Sequence, residues 1–110
     1  AAESDLTIYI DFPKQPTPES EALFQEVFAV ASSESWCKTV SIIRREKNLG
    51  LANSIIRGVT EQLKTSDTVI VLEDDFLLAP HFLTYMNNAL AMYKNDTQVA
   101  SVHGYCLPVR

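Results

Sequence analysis

Residues Ser66 to Phe82 read SDTVIVLEDDFLLAPHF, a short run of strand formers that stops at three consecutive acids. Thr68 to Leu72 is β-branched and apolar with no charged interruption, the pattern of a strand buried on both faces. The run ends at Glu73-Asp74-Asp75, where such a strand leaves its sheet. Open α/β sheets bind ligands just beyond the carboxyl ends of their strands. Neighbouring carboxylates repel one another unless solvent, a cation or hydrogen bonds offset the repulsion. A hard divalent ion that takes oxygen ligands, Mg²⁺ or Mn²⁺, suits that position. The competing reading is a solvated acidic turn that leads into the next helix.

The remaining segments supply strands and helices in alternation. Leu6 to Ile10 is β-rich and meets a loop at Asp11-Phe12-Pro13. Pro18 behind Thr17, with Glu19 and Glu21 close by, marks a helix start; Leu23, Phe24, Val27, Phe28, Val30 and Ala31 then recur at helical spacing. Thr39 to Ile43 is a second strand, followed by a polar loop through Arg44, Arg45, Lys47, Asn48 and Gly50. A second helix carries Leu51, Ala52, Ile55, Ile56, Val59 and Leu63, and Gly58 inside it marks close packing against the sheet. After the acids, Pro80 restarts a helix with Phe82, Leu83, Met86, Leu90 and Tyr93, and Val99 to His103 is a last strand. The pattern is β-α-β-α-β-α-β. It predicts a single α/β domain over residues 1–110 with a mostly parallel sheet flanked by helices.

Composition narrows the classes of partner. A formal charge of −5 argues against a nucleic-acid binder, because affinity for phosphate backbones comes from clustered Lys and Arg. No apolar run approaches the roughly 18 residues of a membrane span. Cys37 and Cys106 have no CxxC spacing and read as reduced structural cysteines of a cytoplasmic protein. No leader pattern opens the sequence, and the sequon at Asn95-Asp96-Thr97 matters only in a secretory compartment.

NLGLANSIIRGV, followed by VIVLEDDFLLAPHFLTYMNNAL, resembles the nucleotide-sugar glycosyltransferases of the GT-A fold. The likeness is to family 2-type enzymes and to N-acetylglucosaminyltransferases that carry EDD in place of DXD, and it spans about residues 6 to 108. It implies a Rossmann-like, GT-A type sheet entered at the family's second strand, without the first strand-helix unit. Asp75 then corresponds to the ligand of a Mn²⁺ or Mg²⁺ ion on the donor diphosphate. Asp74 and Glu73 correspond to its partners at the ribose, the donor sugar or the metal's waters. Asp11 resembles the acid that contacts the nucleotide base, and Arg44 or Arg45 would lie near the diphosphate. With no counterpart of the acceptor-binding half or its carboxylate base, no catalytic residue is assigned. The expectation is a donor-binding region, not a complete catalyst. With the family's central strand missing, either Leu6 to Ile10 pairs directly with Thr68 to Leu72 or another chain supplies the edge. His81 and His103 read as structural or surface residues.

Two other readings compete. One is a self-associating α/β module, most simply a dimer, that keeps the fold while its acids are merely solvated. The other is a receiver-like signalling domain, which would need an acidic pair after its first strand and a Lys after its last. The first strand here ends in Asp11 alone and the last runs into His103-Gly104-Tyr105, so that pattern is not met.

Overall fold

The computed structural model describes residues 3–35 and 37–105 of the 110. The chain divides into two compact units, Ala1–Thr65 and Ser66–Arg110. The first holds β1 (Asp5–Ile10), α1 (Pro18–Ser32), β2 (Thr39–Arg44) and α2 (Leu51–Gln62). The second holds α3 (Phe82–Tyr93). Among the described residues the architecture is α/β, built on a two-stranded parallel sheet with three helices.

The sheet pairs Asp5 with Thr39 through Ile10 with Arg44. Parallel pairing requires a long crossover, and α1 provides it. Its start follows local chemistry. Ser20 N–H donates to Thr17 Oγ1 at 3.2 Å, Thr17 N–H returns a bond to Ser20 Oγ at 2.9 Å, and Pro18 occupies the first turn. The Glu19 carboxyl is held below the usual carboxylate range, first by its own backbone N–H and then by the Thr17 hydroxyl.

Side chains alternate across each strand, so the two faces of the sheet receive different helices. Ile10, Phe12 and Arg44 meet α1, where Phe24 is 7% exposed and sits edge-on to Phe12 at 5.4 Å. Burying a side chain of this size contributes about 1.5–3 kcal/mol. Tyr9 and Arg45 meet α2 on the other face. The expected apolar stripe on α1 is wider than the surface the sheet covers. Phe24, Phe28 and Ala31 turn inward, whereas Leu23, Val27 and Val30 remain exposed. On α2 the inward face centres on Gly58, and Leu51, Ile56 and Leu63 stay in solvent. Gly58 has its expected packing role: a Cβ there would lie 3.2 Å from two carbons of the Tyr9 ring.

Two expected strands do not form. Thr68 to Leu72 is irregular, and Val71 and Leu72 are exposed rather than buried. Leu6 to Ile10 pairs with β2 and not with this run. Periodicity reports that a segment is apolar on both faces, but a strand exists only where a partner takes its backbone groups, and no described residue pairs with this one. Val99 to His103 is likewise irregular. That segment is held to α3 instead: Tyr85 Oη donates to the His103 carbonyl at 3.3 Å, and Gly104 lies so close to the Phe82 ring that a Cβ would clash. Pro80 leads through a turn into α3, whose inward side is Phe82, Leu83, Met86, Ala89 and Leu90. Among the described residues no helix is long and apolar enough to cross a membrane.

Candidate functional site

The carboxyl ends of β1 and β2 carry the residues of interest in the first unit. Just past β1, the Asp11 carboxylate accepts from four donors. They are the Phe12 N–H at 3.1 Å, the Leu49 N–H at 2.9 Å, the Gly50 N–H at 3.0 Å and the Asn48 side-chain amide at 3.2 Å. The same Asn48 amide donates to the Phe12 carbonyl at 2.6 Å. A carboxylate offers about four acceptor positions, so Asp11 is saturated. Its charge sits at the start of α2, the positive end of that helix's dipole. Gly50 caps α2 with φ 73° and ψ 158°, a backbone conformation open essentially to glycine alone. No side chain of the loop caps α2, and Asp11 supplies the order that a local Ser or Asp would otherwise give.

Arg44 and Arg45 are adjacent and therefore diverge. The Arg44 guanidinium stacks on Phe24 at 4.6 Å and Phe28 at 4.8 Å on the α1 face. Arg45 lies on the α2 face, where it is bidentate to Glu61, both bonds at 3.0 Å, and stacks over Tyr9 at 4.8 Å. Donating these bonds to Glu61 raises the Arg45 pKa above its already high usual value. Reciprocally, the hydrogen bonds from Arg45 hold the Glu61 carboxyl below the usual range. Gln62 donates to Tyr9 Oη at 2.8 Å and completes the cluster. Glu61 and Gln62 escaped sequence reasoning because they fall beside the expected apolar stripe of α2. The available signal was their spacing of one helical turn from Gly58, which marks the strand-facing side.

Glu73, Asp74 and Asp75 belong to the second unit. Asp74 and Asp75 occupy a tight turn closed by the Phe76 N–H on the Glu73 carbonyl at 3.3 Å, and all three side chains are exposed. Among the described residues, no three His, Cys, Asp or Glu side chains are grouped to hold a metal ion. Mg²⁺ commonly uses only one or two carboxylates, with substrate phosphates and water completing its shell. His81 lies at the start of α3 without capping it, and the His103 ring is 3.4 Å from Ser101 Oγ. Cys37 is a half-buried free thiol, whereas Cys106 lies outside the described residues.

No family model, no curated protein and no solved structure matches this chain.

Proposed function

We propose that this chain is a glycosyltransferase-derived domain of Rossmann-like, GT-A type that binds a nucleotide diphosphate-sugar through a divalent cation, and that it is not a complete catalyst by itself. One observation supports the reading above others. Asp11 and the Asn48-Leu49-Gly50 loop lie far apart in the sequence, both belong to the resemblance, and they are joined by hydrogen bonds at the carboxyl end of β1. That is where α/β sheets place ligands. In this reading Asp75 ligates Mn²⁺ or Mg²⁺, with Glu73 and Asp74 beside it. The ion would neutralise the charge that grows on a departing diphosphate. For Asp11 to meet a base directly, the Asn48 amide, its longest single contact at 3.2 Å, must yield. For Arg44 or Arg45 to meet a diphosphate, it must leave the Phe24–Phe28 shelf or Glu61. The expected location is the cytoplasm. Calorimetric titration of UDP and GDP with and without Mn²⁺, on the protein and on Asp75→Ala, tests the reading.

A specific observation favours a second reading, a self-associating module, most simply a homodimer. Val71, Leu72, Phe76, Leu77 and Leu78 are all exposed, and Leu77 is 101% exposed. Several large apolar side chains exposed within one short segment, flanking the acids, are the kind of surface that marks association sites.

A further inference from the structure

β1 has one paired edge and one open edge. Arg45 N–H donates to the Ile10 carbonyl at 2.9 Å, so Ile10 directs its backbone groups toward β2. Alternation along the strand gives Leu6 and Ile8 the same direction and turns the groups of Asp5, Thr7 and Tyr9 outward. Among the described residues no third strand takes them. Water can satisfy such a row of donors and acceptors, but among protein partners it is the extended backbone of another strand that matches it. Proteins usually block an exposed edge with Lys, Pro or a bulge, but the β1 sequence DLTIYI has none of these. The outer edge of β2 differs, with Lys38 immediately before it.

We propose that two copies of this chain pair antiparallel along β1, with the twofold axis at Thr7, to form one continuous sheet ordered β2–β1–β1–β2. This inference deepens the self-association reading and is independent of the donor site. The Thr7-centred register engages Asp5, Thr7 and Tyr9 of both copies, the whole outward set. It also resolves the charge at the edge. Directly opposed residues share a face, so each Asp5 lies beside the partner's Tyr9, whose ring carries the Arg45 guanidinium at 4.8 Å. Each Asp5, which accepts from the Thr39 hydroxyl of its own copy, thus lies near the Arg45–Glu61 pair and is held away from the partner's Asp5. The net charge of −5 per copy opposes approach at longer range, so the dimer tightens as salt rises.

Sedimentation at high micromolar concentration reads the association, first on the protein itself and then on Thr7→Pro. Proline is tolerated where the lost N–H points out of the sheet, so Thr7→Pro keeps the β1–β2 ladder but removes an outward donor. The expected result is a dimer that Thr7→Pro weakens about tenfold or more. Thr7→Cys, with Cys37→Ser and Cys106→Ser, gives a readout independent of proline's effect on folding. Hydrogen-bonded antiparallel partners have Cα atoms about 5.5 Å apart, within disulfide reach, so mild oxidation yields a covalent dimer. A monomeric wild-type chain would overturn both this proposal and the self-association reading. A dimer that persists in Thr7→Pro, with no disulfide through Thr7→Cys, would overturn the β1 edge alone and leave association to another surface.

Discussion

Asp11 holds the end of β1 to the start of α2, and nothing local can replace it because Gly50 has no side chain with which to cap. Asp11→Ala leaves the Leu49 and Gly50 N–H groups without their acceptor and removes a charge favourable to the helix dipole. We expect a loss of about 1–2 kcal/mol, read as a lower urea midpoint. Gly58→Ala sets two effects against each other. Alanine gains about 1 kcal/mol of helix propensity. The new methyl would also press on a Tyr9 ring that Arg45 and Gln62 hold in place, so the ring has little freedom to move aside. Overpacking costs about 1–3 kcal/mol, and we expect net destabilisation of about 1 kcal/mol in the same assay. Glu61 supplies a pH signature. Its folded pKa is depressed by the hydrogen bonds from Arg45, so its contribution is present above the unfolded glutamate value of about 4.3. That contribution is lost as pH falls through the folded value. Urea midpoints measured between about pH 7 and about pH 3 should fall less steeply on the acid side for Glu61→Gln than for the wild type.

At the scale of elements, what was legible followed how local the determining physics is. The start of α1 could be read because its signals, Thr17, Pro18, Glu19 and Glu21, are local; the reciprocal bond from Ser20 was not read. The β1-α1-β2 unit was legible for a related reason: one crossover brings its two strands together. Thr68 to Leu72 is richer in β-branched residues than β1, yet it is irregular. Strand propensity describes fitness for a half-buried pleated surface, not the presence of a neighbour, and the neighbour is a long-range fact. The helix faces failed more mildly. Leu23, Val27, Leu51 and Ile56 fit a helical stripe, but two strands are too narrow to cover it. Within the candidate site, residue types were legible and their engagements were not. Arg44 and Arg45 read as one basic loop until strand alternation sent one to Phe24 and Phe28 and the other to Glu61.

For the whole molecule, a small sheet whose two edges are open among the described residues, and a run of exposed apolar side chains, leave much of its stabilising surface unused. Ile10 and Phe24 in one unit, and Met86 and Ala89 in the other, are the buried apolar residues described, so each unit has a small core and little reserve against substitution. Ligand or partner binding would therefore register clearly as stabilisation. In the proposed donor-binding reading, the acids after Leu72 serve a metal-bound diphosphate. Calorimetric titration of UDP and GDP tests it most directly, run with Mn²⁺, without Mn²⁺, and on Asp75→Ala. One of the nucleotides is expected to release or absorb heat only with Mn²⁺ present, and Asp75→Ala to weaken this binding about tenfold or more. Binding indifferent to both Mn²⁺ and Asp75, or no binding of either nucleotide, would contradict it.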